Sequence, residues 1–143
     1  MANLVSRVAR FGVSMSQRLL EQFDELVRER GYANRSEAIR DLVRDALVAR
    51  EWESGDSEVA GTITLIYDHH TVGLTNVLTD VQHEYHDIIV STLHVHLDDR
   101  NCLETLIVKG APHMAKSLAD ELICTKGVIH GKLTLTSTGR NLR

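Results

Sequence analysis

Several features are scarce or missing in this sequence, and each absence removes a class of protein. Only two cysteines, Cys102 and Cys124, occur in 143 residues, too few for a disulfide framework. In a reducing compartment a thiol beside histidines reads as a ligand and not as half of a bridge. No apolar run approaches the roughly 20 residues that span a bilayer, and the opening "MANLVSRVARFG" is broken by arginines too early for a signal peptide. A cytoplasmic location without membrane attachment is the expectation. No low-complexity segment is evident, and no internal repeat beyond the pseudo-symmetry of a βαββαβ order in the second part of the chain. With 43% hydrophobic and 25% charged residues, the chain reads as an ordinary soluble globular protein of one medium domain or two small ones.

The scarcities are also uneven along the chain. The first fifty residues contain no lysine and no histidine: nine arginines face seven acidic residues, a net charge of +2. Residues 51 to 143 carry seven basic against thirteen acidic residues, net -6, and all eight histidines. The overall charge of -4 therefore hides a basic part and an acidic part. The polar, Gly/Ser-bearing stretch "REWESGDSE" marks the join. The chain thus divides into residues 1–50, a linker at 51–58, and residues 59–143.

In the first segment "RFGVSM" (10–15) alternates, with Phe11, Val13 and Met15 on one side and Arg10, Gly12 and Ser14 on the other, the pattern of a half-buried strand. Ser16 is placed to cap a helix whose apolar stripe is Leu19, Leu20, Phe23, Leu26 and Val27, ended by Gly31. Asn34 and Glu37 form a capping-box pattern for a second helix striped by Ile39, Leu42, Val43, Ala46 and Leu47. One strand and two helices cannot enclose a core, whereas pairing the strand with its copy in a second chain buries the apolar side and removes the free edges.

Such a two-stranded ribbon fits the DNA major groove. The segment, including "GYANRSEAIRD" (31–41), resembles a ribbon-helix-helix (βαα) DNA-binding domain. Its outward residues would be Arg10, Gly12 and Ser14. Arg10 is the best base reader because guanidinium bonds guanine O6 and N7 together. The plain alternative is an amphipathic helical hairpin with an incidental leading strand. Residues 1–9 form an arm that either stays disordered or covers the ribbon.

The rest reads as strand (61–68), helix (71–84), long strand (87–98), hairpin partner (102–110), helix from Pro112 ending before Gly127, and strand (128–136). The order βαββαβ is that of a ferredoxin-like unit with two helices on one face of a four-stranded antiparallel sheet, so the whole chain is an α+β protein. In the long strand Ile88, Val90, Thr92, His94 and His96 share one side and Ile89, Ser91, Leu93, Val95 and Leu97 the other. Both sides are rather apolar, so the sheet face without helices is expected to pack on another molecule.

His94 and His96 have Cα atoms about 6.6 Å apart from the strand rise, and the simplest hairpin register sets Cys102 beside His96. The pattern His-x-His-x5-Cys puts three N/S donors on one hairpin, a credible transition-metal site. His83, at the end of the preceding helix, is a fourth donor able to arrive from a neighbouring subunit. A lone histidine is usually not a ligand; four compatible candidates on one hairpin and its flanking helix reverse that expectation. The donor types allow Ni(II) or Cu(II) in a planar site and Zn(II) in a tetrahedral one.

With "RSEAIRD" at 35–41, "QH" at 82–83, "TLHVH" at 92–96 and "CLE" at 102–104, the chain resembles the nickel-responsive transcriptional regulator (NikR) family over about residues 10 to 136. The resemblance implies an ACT-like C-terminal domain and a homotetramer, a dimer of dimers. It also implies one Ni(II) per subunit in a nearly square-planar site at the tetramer interface. His94, His96 and Cys102 of one chain and His83 of another would be the ligands, with Glu104, Tyr67 and His69 beside them. A second cation, K+ or similar, would lie between the domains on Glu37 and Asp41, with carbonyls from around Ile123, Thr125 and Val128. The plain reading of that pair is a capping glutamate and an exposed aspartate. The expected partner is operator DNA with palindromic half-sites, and the expected outcome is repression of nickel-uptake genes.

Two rivals carry weight. A ribbon-helix-helix regulator sensing Cu, Zn, Co or a small molecule would keep the DNA-binding part. A metalloenzyme would need an open coordination position, a nucleophile-base pair or a phosphate-cradling glycine loop, and none is apparent. His70, His86, His113, His130 and Cys124 receive no role.

Overall fold

The computed structural model describes residues 7–143; of the arm expected at 1–9, the first six residues lie outside the described part. Contacts divide the chain into two units, one ending at Ala46 and including Leu142–Arg143, the other Leu47–Asn141.

In the first unit α1 (Gln17–Glu29) begins where expected. Ser16 is the N-cap, and its hydroxyl accepts from the Leu19 N–H at 3.3 Å, satisfying one of the amides that a helix start leaves unpaired. Gly31 follows with φ +73°, the left-handed conformation that ends a helix at no side-chain cost. Asn34 Oδ1 accepts from the Glu37 N–H at 3.0 Å and opens α2 (Arg35–Ser54). Arg35 closes the turn with both guanidinium arms on Asp24, at 2.6 and 2.7 Å.

The segment 10–15 differs from expectation: in the single chain it joins no strand ladder. Phe11, Val13 and Met15 are exposed and line an open cleft of about 820 Å³ with Leu20, Phe23 and Ile39. The physical reason is the one that makes a ribbon need two chains. A strand exists only through its ladder, and this one finds no partner among the described residues of its own chain.

The second unit is a sheet of order β2-β3-β1-β4, antiparallel throughout, built from β1 (Val59–Asp68), β2 (Ile89–His96), β3 (Asn101–Gly110) and β4 (Val128–Ser137). With α3 (Leu74–Glu84) and α4 (Pro112–Cys124) it realises the expected βαββαβ order. β1 alternates without a break: Val59, Ile63, Leu65 and Tyr67 are buried with Leu106 and Val108 of β3, Leu74 and Leu78 of α3, and Ala115, Leu118, Ala119 and Leu122 of α4. On the other face Leu93, Val95 and Ile107 stay exposed, the apolar surface that the strand pattern foreshadows.

Two departures from the expected elements shape the core and the hairpin. Residues 51–54, read as linker, are the last turn of α2, and Trp52 within it is buried in the core of the second unit. Its indole donates to the Thr136 carbonyl at 2.7 Å, and Lys116 donates to the Trp52 carbonyl at 3.0 Å, satisfying one of the carbonyls a helix end leaves free. A Cβ on Gly61 would lie 3.2 Å from the indole and 2.6 Å from the Thr134 carbonyl oxygen, so only glycine lets the ring and β4 come this close.

The second departure lies in β2, which starts at Ile89, and not at 87, and carries a register shift between Ile89 and Ser91. A bulge inverts the alternation across it. Ile89 pairs with Val108 on the helix-covered face, the face that also holds His94 and His96, so it does not belong with Leu93 and Val95.

Replacing Trp52 by alanine is expected to cost about 3–5 kcal/mol, the usual range for a buried indole. It should be read as a lower urea midpoint with the m-value unchanged. A loss under about 1 kcal/mol would contradict the place of α2's last turn in this core.

Candidate metal centre

The β2–β3 turn is held by Asp98. Its carboxylate accepts from the Arg100 and Asn101 backbone N–H groups at 2.8 and 2.7 Å and from the Asn101 amide at 2.9 Å. These bonds, the Asn101 N–H foremost, hold its pKa down to about 2, so the turn is locked by a full charge. From this turn the register is set: His96 faces Cys102 and His94 faces Glu104. Across β3, Tyr67 faces Cys102 and Leu65 faces Glu104. Directly opposed residues share a face, so His94, His96, Cys102, Glu104 and Tyr67 all lie on the helix-covered side.

The loop after β1 is sewn to the same turn. Arg100 places two donors on Asp68 Oδ2, at 2.7 and 3.0 Å, and its carbonyl accepts from the His69 N–H at 3.0 Å. The His70 N–H caps Asp68 Oδ1 at 2.9 Å. Together, the His70 amide first and Arg100 second, they hold Asp68 below the usual carboxylate range. His69 is thereby aimed inward. Its Nδ1 lies 3.2 Å from Cys102 Sγ, and His96 Nδ1 lies 3.4 Å from the same sulfur. The ring of His94 sits 5.2 Å from that of His96, centroid to centroid.

Cys102 is fully buried while His94 and His96 are exposed. Burial pushes the thiol up, helped by the charges of Asp68, Glu104 and Asp98 and opposed by the His69 backbone N–H. A thiol in that state is a poor nucleophile and becomes a thiolate when a cation takes its proton's place. Imidazole nitrogens converging on a sulfur form a borderline-soft donor set, suited to Ni(II), Cu(II), Co(II) or Zn(II) and unsuited to hard cations. The residues therefore fit a first-row transition metal.

Behind the donors lies a buried carboxylate. Glu104 accepts from the Tyr67 hydroxyl at 2.7 Å and from the Gln82 amide at 2.9 Å. Burial, with the Glu104 hydrogen bond second, drives the Tyr67 hydroxyl well above its ordinary range, so it stays a donor. Gln82 has no role in the sequence reading. Its one signal is adjacency to His83, since neighbours on a helix point about 100° apart and one can face inward while the other faces out. His83 is exposed at the end of α3 and is not among the donors gathered within one chain.

The other predicted residues lie elsewhere. Arg10, Gly12 and Ser14 are exposed ahead of α1. Glu37 sits 3.8 Å from Arg40, and Asp41 accepts from the Tyr32 hydroxyl at 2.9 Å and lies 3.5 Å from Arg44. His86 is paired with Asp87 at 3.0 Å.

Residues 60–136 match the family model described as the NikR C terminal nickel binding domain, and residues 9–50 match that of ribbon-helix-helix proteins of the copG family. A protein of Geobacter sulfurreducens described as a nickel-responsive regulator is 59% identical over 133 residues, 93% of this chain and 96% of that protein. The chain belongs to the nickel-responsive regulator family. Relatives with the same description occur in Nitratidesulfovibrio vulgaris, 56% identical over 96% of this chain and 99% of theirs, and in Thermococcus onnurineus, 55% identical over 95% and 99%. The likeness to a solved structure, an uncharacterized protein from Thermotoga maritima, is one of fold alone: TM-score 0.51 at 12% identity, covering 57% of this chain and all of that one. In this member of the regulator family the metal-competent hairpin is thus part of the matched C-terminal domain, and the arginine-only segment is the matched ribbon-helix-helix.

Tyr67→Phe tests the layer behind the donors. It removes a hydrogen bond to a buried carboxylate and is expected to cost about 1–3 kcal/mol in urea unfolding. An unchanged midpoint would show Glu104 satisfied without it.

Proposed function

We infer that this chain is a nickel-responsive DNA-binding transcriptional regulator. The observation that carries the reading is the convergence of His96 and Cys102 on the helix-covered face, with His94 beside them, in a chain whose residues 9–50 match a ribbon-helix-helix. His94, His96 and Cys102 of one chain and His83 of a second would hold one Ni(II) per subunit. Bound there, the cation supplies a bond network that spans two chains. The exposed position of His83 and of the sheet face carrying Leu93, Val95 and Ile107 supports an assembly in which such faces are covered, a homotetramer built as a dimer of dimers.

The residues divide the work. Asp98, Arg100 and Asp68 fix the hairpin donors, Glu104 and Tyr67 support them from behind, and Gln82 ties α3, the helix bearing His83, to that support. A donor supplied across a subunit boundary favours one arrangement of the C-terminal core over others, and that arrangement sets the spacing of the ribbon-helix-helix dimers on two palindromic operator half-sites. Arg10 reads bases from the ribbon, Ser14 makes a second contact, and Gly12 allows close approach. Repression of nickel-uptake genes in the cytoplasm completes the reading. Glu37 and Asp41 would contribute to a second site for a cation such as K+.

Regulation requires operator affinity to differ between the metal-free and nickel-bound protein. Typical coupling of about 1–3 kcal/mol corresponds to a change of roughly 5–150-fold, measurable by gel-shift titration. Equal affinities in the two states would remove the regulatory claim. Nickel titration should develop a thiolate-to-nickel charge-transfer band that is lost in Cys102→Ala. Arg10→Ala should weaken operator binding by about 1–3 kcal/mol and relax specificity at the base it contacts; an unchanged operator affinity would move base reading to other residues.

A further inference from the structure

We propose that Tyr85, acting through Glu121, is a positioning residue for His83. The bond between them pins the last turn of α3 to α4, and so holds the imidazole that serves a second chain in place before any metal arrives. The proposal rests on the reading of His83 as a donor from a second chain, and its test separates the two.

α3 has little of its own to hold it. It has 11 residues, and isolated helices shorter than about 12–15 residues are marginal in water. Its N-cap, Gly73, supplies no side-chain hydrogen bond. Its two buried residues, Leu74 and Leu78, both lie in the first half. Farther on, Val81 and Gln82 are half-buried, and His83 and Glu84 are exposed. Apolar burial therefore anchors the start of the helix and not the end that carries His83.

Polar ties take over at that end. Gln82 donates inward to Glu104 at 2.9 Å. Tyr85, the C-cap, donates its hydroxyl to Glu121 Oε1 at 2.5 Å, the short separation of a hydroxyl on a charged carboxylate. Its ring packs against the core, which aims the hydroxyl at α4. Glu121 stands on a firmer helix: Leu118 and Leu122 on either side of it are fully buried, and Thr125 Oγ1 donates to its backbone carbonyl at 2.7 Å. A third tie is the His86 ring, whose Nδ1 lies 3.0 Å from the His83 carbonyl. Because a carbonyl only accepts, that nitrogen is the donor.

The ties at Gln82 and Tyr85 bracket His83. Successive helix residues point about 100° apart, so holding Gln82 inward aims His83 away from the core. A donor that must cross a subunit boundary binds better when its geometry is set beforehand, because less freedom is lost on binding. Without the Tyr85 bond the last turn would depend on Gln82 and on the exposed His86, and would open more often. Neither Tyr85 nor Glu121 belongs to the donor set; together they govern how often His83 is presented.

The test uses the full-length protein with Ni(II) as the only ligand. Tyr85→Phe keeps the ring and removes only the hydroxyl. It should weaken Ni(II) binding about three- to tenfold in chelator competition, with the same Cys102-dependent band at saturation. In the metal-free variant, hydrogen exchange of the amides from Val81 to Tyr85 should quicken, while exchange in α4 and in β1 to β3 stays as in the wild type. Glu121→Ala removes the same bond from the α4 side and should show the same loss, and the double variant no more than either alone. Ni(II) affinity within about twofold of wild type in Tyr85→Phe, exchange quickened throughout the second unit, or additive losses in the double variant would each overturn the proposal. A charge-transfer band that survives unchanged in His83→Ala would instead overturn the reading of His83 as a donor.

Discussion

The register of the β2–β3 hairpin is the constraint on which the site depends. Side chains alternate along a strand, so a slip of one residue would send His94 and His96 to the opposite face from Cys102. The charged Asp98 turn prevents that slip at one end. At the other end the bulge after Ile89 absorbs a mismatch: it lets Ile89 stay with Val108 in the core while Thr92, His94 and His96 pair with Leu106, Glu104 and Cys102. Without it, one continuous period of two would place either Ile89 or the histidines on the wrong side.

The hairpin's two strands contribute unequally. β3 lies between β2 and β1, and its inward residues Cys102, Leu106 and Val108 are fully buried with Glu104 nearly so. β2 is an edge strand whose histidines stand in solvent. The result is a site with one rigid wall and one open side. The sulfur, its supporting carboxylate and Tyr67 are packed into the core, whereas the imidazoles sit where a group from outside the chain can reach them. The N-terminal segment shows the same incompleteness in apolar form, since Phe11, Val13 and Met15 are exposed beside a cleft. In both places the single chain leaves an interaction half made.

Much of this was legible from residue order. The Ser16 and Asn34 caps announced both N-terminal helices, because short polar side chains before a striped run have one good use. The His96–Cys102 pairing followed from counting across a short turn. The bulge was not legible, since nothing in "DIIVSTLHVHLD" marks an inserted residue and both of its faces are apolar. Trp52 was hidden in a polar stretch: "REWESGDSE" reads as linker on composition, and one indole reaching Thr136 cannot be seen from its neighbours in sequence. The resemblance placed His69 near the site, but its contact with the sulfur depends on the Arg100–Asp68 pair, a link between residues 32 positions apart. Gln82 required knowing that α3 turns that side chain toward Glu104. The strand at 10–15 was legible as a pattern, yet a ladder needs a second strand, and the described residues of this chain hold none that pairs with it.

The central claim is that the hairpin donors of one chain and His83 of another serve the same ion. Mixing two chains that are each defective, Cys102→Ala and His83→Ala, tests it most directly. A mixed assembly contains sites in which the intact hairpin of the second variant meets the intact His83 of the first, so the nickel charge-transfer band should reappear after subunits are exchanged. It should be absent from either variant alone. If exchange is verified and no band returns, the four donors do not come from two chains and the account of a subunit-joining site is wrong.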